Sequence, residues 1–146
     1  MDRPAQNGKA HGAPGSGSIS IGDIEIAYRR SGSGEPVVFV HGLAEDGTSW
    51  SGIVDRLPPG ALAYVPDLRG HGGTTAGDGK GTAAQLAADL TGLLERLSGP
   101  AVCVGFSLGG VIVLQAALDR PDLVRKAVVV GTSSKVGGKA AAFFEA

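Results

Sequence analysis

The sequence predicts an α/β fold in which a mostly parallel, doubly wound sheet follows an N-terminal antiparallel hairpin. One observation is a set of four short, continuous apolar runs, which are typical of strands buried on both faces. These runs are residues 37–40, 61–65, 101–104 and 127–130. Helix signals lie between the runs, so the order of elements is hairpin and then β-α-β-α-β-α-β, which requires right-handed crossovers.

The hairpin is predicted from two alternating apolar segments around Gly22-Asp23. Ile19 and Ile21 precede this pair and Ile24 and Ile26 follow it, and a two-residue turn of this kind joins antiparallel strands. Residues 1–18 show no apolar periodicity, and their Gly, Pro, Ser and Ala content buries too little surface to offset the entropy of ordering. We therefore expect a flexible tail over 1–18 and a single domain from 19 to 146.

The first helix is predicted from apolar residues at helical spacing, namely Trp50, Ile53, Val54 and Leu57. Thr48 or Ser49 is the expected N-cap, and two consecutive prolines after Leu57 end the helix. This spacing also favours a core position for Trp50 over a role as a substrate platform.

The second helix begins at a capping box formed by Thr82 and Gln85. Its apolar stripe consists of Leu86, Leu90, Leu93, Leu94 and Leu97, and Gly99-Pro100 ends it. A third helix is expected directly after Ser107 and ends before Pro121.

Composition excludes several classes of protein. A hydrophobic content of 42% with 18% charged residues describes a globular domain, and a net charge of −1 offers no basic field for nucleic acid or an anionic membrane. No apolar run approaches 18 residues and no secretion signal is recognisable, so we expect a cytoplasmic protein without a membrane span. The single cysteine, Cys103, is expected in the core, and no metal or cofactor is predicted.

The residues most typical of chemistry are Gly105-Phe106-Ser107-Leu108-Gly109, a G-x-S-x-G motif. In so glycine-rich a chain, roughly 0.3 matches arise by chance, so the motif alone is weak. Its position between a predicted strand and a predicted helix is what a nucleophile elbow requires. A serine on this sharp turn exposes its Oγ, while the helix N-terminus points backbone N–H groups at the same space.

Together with three further features, this motif resembles the α/β-hydrolase family. His41-Gly42 follows one strand, the segment from Asp67 to Gly72 (DLRGHG) follows the next, and the helix after the elbow ends at Asp119-Arg120-Pro121. The resemblance covers residues 19–146. It implies a serine hydrolase acting on a small ester, lactone or related acyl or carbon-carbon substrate through an acyl-enzyme.

Site residues follow from the same resemblance. It implies that Ser107 is the nucleophile and that the backbone amides of Leu43 and Leu108 form the oxyanion hole. We expect His41 to shape the loop that carries Leu43, and His71 to be structural or to line a pocket. Asp67 and Arg69 are expected to pair with each other or to cap their loop.

The chain departs from the family after the nucleophile, where members carry an acid and then a histidine. All three histidines precede Ser107, and Asp119 and Asp122 lie at a helix end and turn, where solvent and capping explain them. In the family, a helical cap begins near the alanine-rich residues 137–146. We therefore expect the N-terminal half of a hydrolase without its triad acid and histidine, completed by another chain or associating with itself through an open sheet edge.

Two alternatives remain open. A non-catalytic hydrolase-like binding module, or an inactive fragment, would explain the missing histidine. A dinucleotide-binding domain is suggested by Gly105 with Gly109-Gly110 after a strand, although the G-x-G-x-x-G spacing is missing.

Overall fold

A computed structural model describes residues 15–133 and contains a mixed sheet of six strands in the order β1-β2-β4-β3-β5-β6. The strands are β1 (Gly15–Ile21), β2 (Ile24–Gly32), β3 (Gly34–Val40), β4 (Gly60–Pro66), β5 (Ala101–Phe106) and β6 (Val124–Val130). A 3₁₀ turn over Gly47–Trp50 and three helices connect them: α1 (Ser51–Val54), α2 (Ala83–Leu94) and α3 (Leu108–Asp119). The predicted fold class, a doubly wound sheet with an N-terminal hairpin, is confirmed.

Strand directions place the functional edge of the sheet. The hairpin β1–β2 is antiparallel, as predicted, and β2 also runs antiparallel to β4. The remaining pairs, β4–β3, β3–β5 and β5–β6, are parallel. Consequently the loops after β3, β4, β5 and β6 all begin at the same edge, where ligand sites of open α/β sheets form.

Apolar residues cover both faces of the sheet. Val38, Val40 and Tyr64 lie in the main core with the leucine stripe of α2 and with α3. The alternate residues of the same strands, such as Phe39 and Val65, pack on the other face around Trp50. Because side chains alternate along a strand, the continuous apolar runs of the sequence correspond to burial on two faces. Trp50 is a core residue, as expected.

Two predicted boundaries are wrong. β1 begins at Gly15, so residues 15–18 of the predicted tail pair with residues 27–30 of β2. The backbone of β2 supplies these hydrogen bonds, so no apolar pattern was needed; residues 1–14 lie outside the described part. The first helix is only one turn of α-helix, and Asp46, not Thr48 or Ser49, caps the 3₁₀ turn before it by accepting from the Thr48 amide.

The two edges of the sheet differ in burial. At the β1–β2 edge, Ile21, Ile24 and Ile26 pack against Leu93 of α2. At the other edge, β6 pairs with β5 on one side, and Val128, Val129 and Val130 are 41–48% exposed. The predicted beginning of a cap, residues 137–146, lies outside the described residues.

Candidate active site

Ser107 occupies a strained turn between β5 and α3. Its φ of 53° and ψ of −117° are rare for a residue with a side chain and cost on the order of 1–3 kcal/mol. Two glycines make the turn possible, because a Cβ on Gly105 would overlap with the Gly109 carbonyl and a Cβ on Gly109 would overlap with the Val40 carbonyl. The motif therefore has a steric origin: strand, helix and neighbouring strand approach each other closely through backbone atoms.

Hydrogen bonds fix this turn to the end of β6. The Ser107 amide donates to the Val130 carbonyl at 3.0 Å, and the Ser107 carbonyl accepts from the Thr132 hydroxyl at 2.7 Å. The Ser107 side chain is exposed and makes no capping hydrogen bond to α3. Within residues 15–133, the Leu108 amide at the start of α3 has no acceptor. An exposed serine hydroxyl and a backbone N–H without an acceptor among the described residues thus lie next to each other in the chain.

The loop after β3, residues 41–46, lies beside Ser107. A Cβ built on Gly42 would be 3.4 Å from the Ser107 Cβ and 3.4 Å from the Phe106 ring, so the backbone of this loop packs closely against the Ser107 turn. Ala44 in this loop has a φ of 61°, and it and Ser107 are the two non-glycine residues with positive φ in the described chain. Strained backbone of this kind clusters at functional sites.

Three consecutive amides of the 41–46 loop have different partners. Gly42 donates to a Glu45 carboxylate oxygen at 3.1 Å, and Ala44 donates to His71 Nε2 at 3.1 Å. Between them, the Leu43 amide finds no acceptor among the residues that the structure describes. The two amides predicted to form an oxyanion hole, Leu43 and Leu108, thus both lack an acceptor within residues 15–133.

His41 is fully buried and both ring nitrogens are engaged. Nε2 accepts from the Leu68 amide at 2.9 Å, which leaves Nδ1 to carry the proton that it donates to the Gly42 carbonyl at 2.7 Å. Burial lowers the pKa of His41 below the ordinary 6.5, with a partly opposing contribution from the Gly42 carbonyl. The neutral ring therefore connects the loops after β3 and β4 through its two hydrogen bonds, which agrees with the expected structural role.

His71 is engaged in the same manner. Its Nε2 accepts from Ala44, so Nδ1 carries the proton and donates to the Arg69 carbonyl at 2.9 Å. The ring lies 5.3 Å from that of His41 and lines an open groove of about 530 Å³ together with Ala44 and Glu45. Neither described histidine has a nitrogen left to accept the Ser107 proton.

Asp67 and Arg69 do not pair with each other, contrary to one of the two expected arrangements. The Asp67 carboxylate accepts from the Gly47 amide at 2.7 Å and the Gly73 amide at 2.9 Å, so it caps two loops. Arg69 instead binds both oxygens of Asp89 on α2 and both oxygens of Asp23 in the hairpin turn. Sequence reasoning missed these partners because 46 and 20 residues separate them from Arg69.

Neither the cysteine nor a group of metal-ligating side chains offers a second reactive site within residues 15–133. Cys103 is buried in the core, as expected, and burial raises the pKa of its thiol to about 12. Within residues 15–133, no three His, Cys, Asp or Glu side chains form a cluster that could hold a metal ion. Over the same residues, no helix has the length and apolar character needed to cross a membrane.

Two residues near Ser107 were not singled out from the sequence. Glu45 places a carboxylate oxygen 3.4 Å from the Gly42 Cβ position, and the Phe106 ring lies between Gly42 and Gly131, whose Cβ position is 3.0 Å from it. The sequence could have indicated Phe106, since it is the apolar residue directly before the motif serine. Glu45 gave no signal, because its contact depends on a turn at residues 42–45.

Comparisons with known proteins identify the family and the fold of the chain. A family model described as alpha/beta hydrolase fold matches residues 35–144. A pimeloyl-[acyl-carrier protein] methyl ester esterase from Vibrio vulnificus is 34% identical over 116 residues, which cover 80% of this chain and 44% of the relative. A 2-(acetamidomethylene)succinate hydrolase from Mesorhizobium japonicum is also 34% identical, covering 77% of this chain and 41% of the relative.

A solved structure gives the same result in three dimensions. An esterase from Thermogutta terrifontis superposes with a TM-score of 0.77 at 31% identity, covering 84% of this chain and 47% of that one. The chain therefore spans less than half the length of each of these three proteins.

Proposed function

This chain belongs to the α/β-hydrolase fold family, and from that premise we propose that it carries the nucleophile and oxyanion hole of a serine hydrolase. One observation carries the proposal. Ser107, on a strained turn, lies against Gly42, and the amides on the two flanking segments, Leu43 and Leu108, lack acceptors within residues 15–133. Such donors, already fixed in place, are what a developing oxyanion needs.

The proposed mechanism begins with attack of the Ser107 Oγ on the carbonyl carbon of the substrate. The carbonyl oxygen becomes an oxyanion that accepts from the Leu43 and Leu108 amides, and its collapse expels the leaving group and leaves an acyl-enzyme. Water then hydrolyses this ester. The Oγ proton requires a general base, and because both described histidines are engaged by backbone groups, we expect that base from outside residues 15–133.

A small ester, lactone or related acyl or carbon-carbon substrate is the proposed class. The methyl ester esterase from Vibrio and the esterase from Thermogutta favour an ester within that class. A cytoplasmic location and a complementing chain or second copy at the open edge of β6 stay predictions; Val128–Val130 at that edge supply the exposed apolar surface that pairing would cover.

The alternative of a non-catalytic binding module is favoured by one observation, the engagement of both nitrogens of His41 and His71. The dinucleotide-binding alternative gains nothing from the glycines that suggested it. Gly105 and Gly109 face backbone carbonyls of this chain, and so they serve packing and do not form a phosphate cradle.

Labelling with a fluorophosphonate probe and mapping of the adduct test the proposal. We expect modification at Ser107 when the chain is assembled with the segment or partner chain that supplies the general base. In that completed enzyme, Ser107→Ala should lower turnover of a p-nitrophenyl ester by several orders of magnitude, because oxyanion binding alone retains little catalysis. Ser98→Ala, an exposed serine in the turn before β5, is the matched control and should react as the original chain does. An adduct at another serine, with Ser107 unmodified, would refute the assignment.

A further inference from the structure

We propose that Glu45 and His71 are positioning residues that hold the 41–46 loop from two sides and thereby direct the Leu43 amide toward Ser107. The inference rests on the function proposed above, because it concerns how the oxyanion hole is kept in place. Neither side chain belongs to the nucleophile, the acid or the base of a hydrolase triad.

The first hold is a turn closed by Glu45. Its amide donates to the Gly42 carbonyl at 3.3 Å, and its carboxylate reaches back to accept from the Gly42 amide at 3.1 Å. Leu43 and Ala44 are then the two central residues of a four-residue turn. Both ends of this turn are fixed by the same glutamate, so rotation of the Gly42 peptide would break a hydrogen bond.

The second hold acts on Ala44. A φ of 61° at the third residue of a turn is the arrangement that glycine or asparagine usually adopts, and it is strained for alanine. His71 Nε2 accepts the Ala44 amide, and the ring itself is anchored through Nδ1 on the Arg69 carbonyl. Because Arg69 is bound to α2 and to the hairpin turn, His71 connects the strained residue to a rigid part of the sheet.

The consequence is a fixed direction for the amide in the middle. With the Gly42 and Ala44 amides each directed at a side-chain acceptor, the Leu43 N–H lies between two restrained peptide planes. Donors that are oriented before the reaction stabilise an oxyanion without reorganising during it. Removal of either hold should therefore lower turnover more than substrate binding.

Glu45 also introduces an opposing effect that makes the proposal testable. Its carboxylate oxygen and the Ser107 Cβ are both 3.4 Å from the Gly42 Cβ position, so a negative charge lies close to where an oxyanion would form. Charge at that place disfavours the oxyanion. Glu45→Gln keeps a carbonyl oxygen that can accept from Gly42 but removes the charge, whereas Glu45→Ala removes both.

Amide hydrogen exchange, measured by NMR on the ¹⁵N-labelled full chain, tests the two holds directly. Glu45→Ala should raise the exchange rate of the Gly42 amide by about tenfold, and Glu45→Gln should leave it near the original rate. His71→Phe should likewise raise the exchange rate of the Ala44 amide. His71→Gln, whose amide oxygen can replace Nε2 as the acceptor, should keep that amide protected. Asp46→Asn is the matched control, because it changes the same loop without a contact to either amide.

Ester turnover, measured on the enzyme completed with its general base, gives the second readout. Glu45→Ala and His71→Phe should each lower kcat by about tenfold with KM nearly unchanged, and the two glutamine variants should recover it. Loss of turnover in Glu45→Gln equal to that in Glu45→Ala, with the Gly42 amide still protected, would overturn the proposal, because Glu45 would then act by its charge or as a base. Unchanged exchange in Glu45→Ala and His71→Phe would overturn it as well.

The two proposals can fail separately. If Ser107 takes no fluorophosphonate label in the enzyme completed with its general base while the exchange rates respond as expected, the hydrolase function fails and the two holds stand. If Ser107 is labelled and the exchange rates do not respond, the function stands and the holds do not exist.

Discussion

Loops at one edge of the sheet differ sharply in how their polar groups are used. After β4, the polar side chains of residues 67–76 are engaged: Asp67 caps two loops, Arg69 binds two carboxylates and Thr74 bonds to the Asp67 carbonyl and the Ala27 amide. After β3 and β5, by contrast, lie the two non-glycine residues of the described chain with positive φ, Ala44 and Ser107, and the Leu43 and Leu108 amides have no acceptor within residues 15–133.

This difference teaches where to look for chemistry. The segment DLRGHG contains more ionisable side chains than the elbow, yet its groups are held by partners that satisfy them, which is how buried polar groups stabilise a fold. Strained non-glycine backbone, which costs free energy, is found instead at Ser107 and in the 41–46 loop, beside the Leu43 and Leu108 amides that have no acceptor within residues 15–133. A ligand oxygen would offset part of that cost.

The largest expected effect is on stability and concerns Arg69 in the loop after β4. Arg69→Ala should lower the free energy of unfolding by about 3 kcal/mol, because it leaves Asp89, a buried carboxylate, without its partner. The side chain of Arg69 is 5% exposed and joins the hairpin turn to α2, so both elements should loosen. Urea denaturation followed by the fluorescence of Trp50, the single tryptophan, measures the change.

Arg120 offers a matched control. It also binds two carboxylates, Glu95 and Asp122, but all three side chains are well exposed, so Arg120→Ala should change stability little. Equal losses of unfolding free energy in Arg69→Ala and Arg120→Ala would contradict the distinction between a buried arginine that joins two elements and a solvent-exposed one.

A smaller effect, on activity and not on stability, is expected at Gly42 in the 41–46 loop. Gly42→Val should lower kcat by about 10²-fold, or about 2.7 kcal/mol, because its methyl groups must displace Ser107, Phe106 or Glu45 and turn the Leu43 amide away. The kcat of Gly42→Ala, whose Cβ makes contacts of 3.4 Å, should lie between that of the original chain and that of Gly42→Val. Steady-state kinetics with a p-nitrophenyl ester, on the enzyme completed with its general base, measure kcat and KM.

Gly52→Val controls for the loss of a glycine. A Cβ there would meet only the Arg56 guanidinium at 3.7 Å, so turnover should not change. A rise in KM with constant kcat in Gly42→Val would indicate that Gly42 serves substrate binding and not the alignment of an oxyanion donor.

The sequence predicted the elements whose signals are local. Continuous apolar runs predicted β3 to β6, the Gly22-Asp23 pair predicted the hairpin, and the leucine stripe predicted the buried face of α2. The first helix was misjudged because Ile53, at helical spacing from Trp50, is 52% exposed and the helix ends at Val54. Apolar spacing gives no information on how many turns the neighbouring sheet can cover.

Side-chain partners at the site were beyond the sequence. The motif serine and the glycine after His41 could be placed at one sheet edge, since parallel strands bring their carboxyl ends together. Hydrogen bonds from Ala44 to His71 and from Gly42 to Glu45 depend on a positive φ at Ala44, an angle that alanine does not signal. The partners of Arg69 likewise depend on how α2 and the hairpin pack.

The smallest expected effect is the pH dependence of stability that His41, between the loops after β3 and β4, contributes. Burial holds the pKa of His41 below its ordinary 6.5, so between these values the unfolded chain binds a proton that the folded chain does not. The contribution of His41 to stability is therefore complete above about pH 6.5 and is lost as pH falls toward the lowered pKa. His41→Gln, whose amide oxygen can accept from Leu68, should weaken this dependence.

Urea denaturation at several pH values between about 5.5 and 7.5 tests this expectation. The carboxylates of Asp23, Glu25 and Asp46 have pKa values lowered by hydrogen bonds from Arg69, Ser20 and Thr48 respectively, so their own losses of stability occur at more acidic pH. His71 stays present in both proteins, and the difference between them isolates His41. Identical pH slopes would mean that His41 binds a proton as readily in the folded chain as in the unfolded one, and the assignment of a neutral ring that accepts from Leu68 would then be wrong.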